Sequence, residues 1–181
     1  MLVVGCIHGN ECAGLAVIAA LRKTHPREDL WLVPTFNPDG RAHGTRQNAD
    51  GIDLNRNFPT AWRPLGPPWS VYAAGPRPWS EPETRLVRAL VARIHPRYTI
   101  WFHQHMNLVW AYGRSSQAGR RYARLAGMRF YHHPWLDATA ANWQNQLPDG
   151  EASFTVELPA GTLAAAAVIR QTRAVLAVAG P

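Results

Sequence analysis

Lysine is nearly absent from this chain of 181 residues: Lys23 stands alone, so all but one of the 19 basic side chains are arginine. Against 12 acidic residues the formal charge is +7 and the isoelectric point about 10.2. Such a surplus suits an acidic partner, whether nucleic acid, anionic lipid or a carboxylate-rich substrate, or it reflects a generally arginine-rich composition. The second reading is preferred. Cysteine is scarce too, with only Cys6 and Cys12. Two cysteines build no disulfide framework, and six residues apart across a strand-to-helix turn they make a poor pair, so they are read as small buried apolar side chains. No run of about 18 apolar residues is present, which argues against a helical membrane span. The opening MLVVGC lacks a preceding basic segment and reads as a strand rather than a signal peptide. Localisation therefore stays open: cytoplasmic as the chain stands, exported if an upstream signal is missing. Charged residues make up 17% and hydrophobic ones 46%, which excludes disorder and coiled coil. The length suits one domain, residues 1–181, with a sizeable core.

What is present is an alternation of apolar runs and helical patterns. Residues 2–7, LVVGCI, read as a buried strand ending at a His-Gly turn, and Glu11 to about Thr24 as a helix. Residues 30–35 form a second strand. From Phe36 to Trp79 there is no periodicity, only Pro, Gly, Asn and Asp; a stretch of that length inside a compact domain points to a site. Ser80 with Glu83 fits a capping box ahead of a helix running to about Ile94, with Pro82 in its first turn. YTIWFH at 98–103 is a strand, VWAY at 109–112 a possible second one, and Ser116 to about Gly127 a helix with an arginine-rich face. ASFTVELP at 152–159 is a strand and 162–179 a closing helix. Strands alternating with helices predict an α/β fold with helices on both faces of a sheet.

The polar residues of interest sit at strand ends and in the long loop, where open α/β sheets build their sites. His8 and Glu11 lie three apart at a strand-to-helix turn and can converge on one metal ion, as two histidines and one glutamate do in zinc hydrolases. The third ligand must come from elsewhere; His103 closes a strand, and His105, two residues on, would point the same way. NPDG at 37–40 is explained by turn chemistry. Asp53, Asn55 and Arg56 beside Arg46 are not. Such arginines can clamp a carboxylate bidentately, and Asp53 can fix the tautomer of a metal-bound histidine. Glu157 closes the apolar run FTVEL, where a carboxylate must be paired or sit at a site, and near a metal-bound water it can serve as general base.

HGNE, NPDG, an intervening arginine, GIDLNRNFP, SEPET, a strand-ending histidine and a final FTVELP occur here in the order found in the zinc carboxypeptidases, the funnelins. The sequence resembles most the bacterial branch of murein-peptide amidases and related carboxypeptidases, from residue 3 to about 161. The resemblance implies a mixed, twisted β-sheet sandwiched between helices, one catalytic Zn2+, and hydrolysis of a peptide bond near a free carboxylate, in cell-wall peptides. It implies His8, Glu11 and His103 as metal ligands, Asp53 as the acid orienting the first histidine, and Arg46 as the oxyanion-stabilising arginine. It further implies Asn55 and Arg56 as binders of the substrate's terminal carboxylate and Glu157 as general base and acid.

The chain departs from the pattern in three ways. Tyr112, Tyr122 and Tyr131 occupy the interval that holds a mobile tyrosine in digestive members, but none lies in a matching motif. Asn142-Trp143-Gln144-Asn145 is a candidate pocket wall instead, with core packing of Trp143 equally in view. The third-ligand segment reads FHQHM, and His103 is favoured over His105 because it closes the apolar run directly. Relative to the family the chain also begins late, so the fold is expected to lack the first strands and to expose a sheet edge. His132-His133 before Pro134 is a possible lining of the site's mouth. An N-acyl amino acid deacylase of the aspartoacylase or desuccinylase type shares an HGNE-like turn and an Asn-Arg pair and is one alternative; a catalytically silent peptide-binding module is another. With Arg46 and Arg56 absorbed into a site, the charge no longer calls for nucleic acid. Oligomeric state is not readable.

Overall fold

The computed structural model describes residues 1–148 and 151–180. Its sheet contains β1 (Leu2–Val4), β2 (Trp31–Val33), β3 (Tyr98–Trp110), β4 (Arg129–Tyr131) and β5 (Ala152–Pro159). β1 lies between β2 and β3 and runs parallel to both, in register Leu2↔Trp31 and Leu2↔Thr99. β3 and β5 begin parallel, from Tyr98↔Ala152 to Gln104↔Leu158. β3 then reverses through Asn107, whose φ is +51°, and Leu108–Trp110 run back along the same partner, with Leu108↔Glu157 and Trp110↔Thr155. One apolar segment thus flanks β5 on both sides before pairing with β4, which makes the sheet mixed. The two strands expected at 98–103 and 109–112 are the two limbs of this bent element.

Alternation along the strands divides the interior. Val3, Ile100, Phe102, Phe154, Val156 and Leu158 face one core. It is covered by α1 (Gly14–Leu21), α4 (Ser116–Ala126) and α6 (Ala165–Ala179). Leu2, Val4 and Trp101 face the second core, against α3 (Pro82–Ile94) and α5 (Ala140–Asn145). Helices therefore cover both faces, as expected for this architecture. Because side chains alternate with a period of two, Thr99, Trp101 and His103 share the second face with Ser153, Thr155 and Glu157. The Trp101 indole N–H donates to Ser153 Oγ at 2.9 Å across that face. Among the described residues no helix is long and apolar enough to cross a membrane.

Several local expectations are corrected. Cys6 and Cys12 are joined in a disulfide, with Cα atoms 4.9 Å apart; the HGNE turn folds tightly enough to bring the two within bonding range. α1 begins at Gly14 rather than Glu11, because it is at Gly14 that the helix meets the sheet. A Cβ there would stand 2.4 Å from the Gly5 carbonyl oxygen and 2.6 Å from Phe102 Cβ. NPDG is the first turn of a short helix, α2 (Pro38–His43): the Gly40 amide donates to Asn37 Oδ1 at 2.9 Å and Pro38 takes the position where its missing N–H costs nothing. The Ser80–Glu83 capping box does not form. Glu81 is the residue preceding α3, and Ser80 Oγ instead donates to Glu81 Oε1 at 2.6 Å.

Candidate metal and peptide-binding site

The long segment between β2 and α3 has little regular structure, but it is held by polar side chains. Asn57 donates to the Ala74 and Arg77 carbonyls and to Ser80 Oγ, and Asn48 donates to Glu81 Oε2. These buried amides satisfy a loop that has few backbone ladders of its own. The segment is thereby pinned over the ends of β1, β3 and β5. Gly9 of the HGNE turn packs directly on Gly40 of NPDG; a Cβ on Gly9 would overlap the Gly40 carbonyl carbon at 1.9 Å. Two glycines from separate motifs meet so that the loop can lie against the turn.

Three groups converge at this junction. His8 Nδ1 and His103 Nδ1 lie 3.0 and 3.1 Å from Glu11 Oε2 and 3.2 Å from each other. The ligand atoms of His8, Glu11 and His103 all fall within 4.8 Å of one another. His103, not the exposed His105, completes this group, although His105 lines the same cleft. The far side of His8 is spoken for: its Nε2–H donates to Asp53 Oδ1 at 2.9 Å, which leaves Nδ1 as the lone-pair nitrogen aimed at the other two groups. This donor set, two imidazole nitrogens and a carboxylate with the first tautomer fixed from behind, fits a zinc ion.

Arg46 bridges the two acids. Its Nη1–H donates to Glu11 Oε1 at 2.7 Å and its Nε–H to Asp53 Oδ2 at 2.9 Å. Its Nη2 takes part in neither contact. Burial by itself would raise the Glu11 pKa, but hydrogen bonds from His103 and His8 outweigh it and hold the carboxyl well below the usual carboxylate range. Asp53, wholly buried, is likewise held low by the charge of His8 and its hydrogen bond, with Arg46 and Arg56 adding to the effect. Burial would lower His8, but Asp53 overrides it and the imidazole pKa is raised. Burial lowers the pKa of Arg56.

Arg56 and Asn55 sit in a short 3-10 turn, Leu54–Arg56, started by Asp53, whose Oδ1 accepts from the Asn55 amide at 2.9 Å. Asn55 Oδ1 accepts from the Ala140 amide at 2.9 Å, so its side-chain nitrogen remains the group able to donate outward. Glu157 lines the cleft with the metal-ligand candidates, and its buried Oε2 has no hydrogen-bond partner among the described residues. The cleft, about 240 Å³, thus gathers His8, Glu11, His103, Arg46, Asn55, Arg56 and Glu157; Asp53 lies behind them.

Residues from the departures fall elsewhere. Trp143 belongs to the second core, packed on Phe58 and Trp79 with ring centroids 5.5 and 5.0 Å away, and Gln144 donates to Thr99 Oγ1. Trp143 is therefore core, and residues 142–145 are not among those lining the cleft. Tyr122 is buried and its hydroxyl donates to Gln171 Oε1 at 2.6 Å. His132 and His133 stack on Phe130 and Tyr131 outside the cleft. Sequence reasoning passed over Tyr72. Its ring lies 5.7 Å from the Arg46 guanidinium and 5.0 Å from that of Arg56, forming a wall of the cleft. An aromatic residue inside the loop that also carries both site arginines was the available signal. Trp110, Trp135, Thr139 and Thr155 complete much of the remaining wall.

A model of the zinc carboxypeptidase family matches residues 1–160. Murein peptide amidase A of Escherichia coli K12 is 36% identical over 121 residues, covering 56% of this chain and 48% of that protein. The Vibrio campbellii protein of the same name is 29% identical over 180 residues, covering 87% of this chain and 68% of the relative. The crystal structure of a murein-tripeptide amidase from Escherichia coli O157 superposes with a TM-score of 0.78 at 26% identity, covering 98% of this chain and 78% of that one. The chain spans about half the length of the Escherichia coli relative it matches.

Proposed function

The chain belongs to the zinc carboxypeptidase family, and we propose that it is a zinc-dependent peptidase cleaving a peptide bond beside a free carboxylate, in murein peptides. The observation that carries this reading is the convergence of His8 Nδ1, Glu11 Oε2 and His103 Nδ1 in a cleft that also holds the unpartnered Oε2 of Glu157. Murein enters from the relatives, whose names record action on murein peptides.

In this reading His8, Glu11 and His103 hold one zinc ion. When bound, zinc supplies Lewis acidity, bringing the pKa of water near neutrality and polarising a carbonyl. The chain's own groups perform the rest. Glu157 Oε2, with no competing partner, accepts the proton of the attacking water and returns it to the departing amine. Arg46, anchored through Nε and Nη1, presents Nη2 as a fixed positive donor to the developing oxyanion, so little reorganisation is required as charge appears. Arg56 and the Asn55 amide nitrogen receive the substrate's free carboxylate, which sets the register of the bond to be cut. Asp53 keeps His8 in the tautomer that leaves Nδ1 unprotonated.

Metal analysis of the purified protein, followed by mass spectrometry after incubation with defined muropeptides, tests the proposal. One zinc per chain and release of a C-terminal residue or peptide are expected. Cleavage confined to N-acyl amino acids would transfer the protein to the deacylase reading, and zinc-free protein inert on both would overturn hydrolysis altogether.

A further inference from the structure

Part of the arginine surplus has a location. From Thr84 to Leu136 the chain carries nine arginines and no acidic residue, and none occurs from Leu158 to Pro181 either. Arg85, Arg88 and Arg93 of the nine lie on α3, against the opposite face of the sheet. The same segments contain α4 and α6, which pack side by side on one face of the sheet, joined by the Tyr122 hydroxyl donating to Gln171. The inward positions, Ala118, Tyr122, Ala123 and Ala126 on α4 and Ala174, Val175 and Val178 on α6, are buried. The outward positions are Arg120, Arg124 and Leu125 on α4 and Ile169, Arg170 and Arg173 on α6, all exposed. Leu125 is 41% and Ile169 51% exposed. Among the described residues Arg120, Arg124, Arg170 and Arg173 enter no ion pair. Glu28, in the connection after α1, borders the C-terminal end of α6.

We propose that the outer face of α4 and α6 docks on an anionic phospholipid bilayer. Guanidinium groups match phosphate oxygens bidentately, and several on one face are attracted by a negative leaflet. The aliphatic side chains among them distinguish a bilayer from a nucleic acid. Leu125 and Ile169 have the position of apolar groups that enter the headgroup boundary of an interfacial helix. No aromatic ring is among the exposed large apolar residues of α4 and α6 to stack on bases. The catalytic cleft lies elsewhere, at the ends of β1, β3 and β5, so docking leaves it open.

Cosedimentation of the full chain with vesicles tests the proposal. Binding to mixed phosphatidylcholine–phosphatidylglycerol vesicles is expected, with little to phosphatidylcholine alone and a steep decline as salt rises. Each neutralised arginine should weaken partitioning about fivefold, so a R120Q/R124Q/R170Q/R173Q variant should lose it. L125S/I169S, with all charge retained, should bind measurably less than the parent. Equal binding to neutral vesicles, or undiminished binding by the arginine variant, overturns the proposal. So does tighter binding to duplex DNA or polyphosphate combined with no effect of L125S/I169S. Should the quadruple variant fail a circular dichroism check, R173Q alone and the salt titration of the parent decide.

Discussion

His103 and Glu157 are register partners on adjacent parallel strands, the former on β3 and the latter on β5. Both occur at the ends of buried apolar runs, and both project from the face that carries Trp101 and Thr155. Strand pairing alone therefore places a metal-ligand candidate beside a carboxylate, with the separation set by the spacing of the sheet. The backbone ladder, not a flexible loop, holds these two side chains side by side.

Glu157→Gln should keep the metal and lose turnover. The change removes the basic oxygen but touches none of the converging donors, so zinc content by elemental analysis should stay at the parent value. The hydrolysis rate should fall by about 100- to 10,000-fold. Near-parental turnover would remove Glu157 from the mechanism.

Asp53→Asn should weaken metal retention rather than abolish it. His8 would lose the charged acceptor that fixes its tautomer, an effect expected to cost about 10- to 100-fold in metal affinity. Competition with a chelator of known affinity measures this. An unchanged affinity would make Asp53 a purely structural partner of Arg46.

Arg56→Ala should separate binding from chemistry. If Arg56 receives the free carboxylate, KM should rise roughly 10- to 100-fold on peptides ending in a free acid, the loss of one or two charge-assisted hydrogen bonds. C-terminally amidated peptides should scarcely distinguish variant from parent. Equal losses on both substrates would argue against the assignment.

Acid should destabilise the metal-free protein. Asp53 and Glu11 have folded pKa values below their usual 3.8 and 4.5. Their contribution is therefore present above that range and disappears as pH falls below it; for one such group this amounts to about 2–3 kcal/mol. His8, raised above 6.5, contributes in the opposite sense, and its share is lost as pH climbs through the folded value. Urea midpoints from pH 3 to 8 should show an acid limb that Asp53→Asn flattens.

Gly9→Ala should open the site without touching a functional group. Its Cβ would fall 1.9 Å from the Gly40 carbonyl carbon, backbone against backbone, so the loop must withdraw. A loss of about 1–3 kcal/mol is expected from overpacking, together with weaker metal retention as Asp53 and Arg46 move from His8. Thermal unfolding and the chelator assay read the two effects.

The layered α/β architecture was legible in the sequence because apolar alternation and helical periodicity are properties of short segments. So were His8, Glu11, Asp53, Asn55, Arg56 and Glu157 as candidates for a site, since each stands where a polar group is otherwise costly or unexplained. Local patterning could not show how distant segments meet. His8 contacts Asp53 across 45 positions and His103 across 95, and the choice between His103 and His105 depends on where β3 bends away from the site. The Cys6–Cys12 bond and the Gly9–Gly40 contact depend on how tightly one turn closes. Tyr72 became part of the cleft only when Asn48, Asn57 and their partners folded a segment without periodicity over the strand ends. Sequence determined which residues must be buried, paired or exposed; the tertiary structure decided their partners, because the hydrogen bonds and close packing that choose them join elements far apart along the chain.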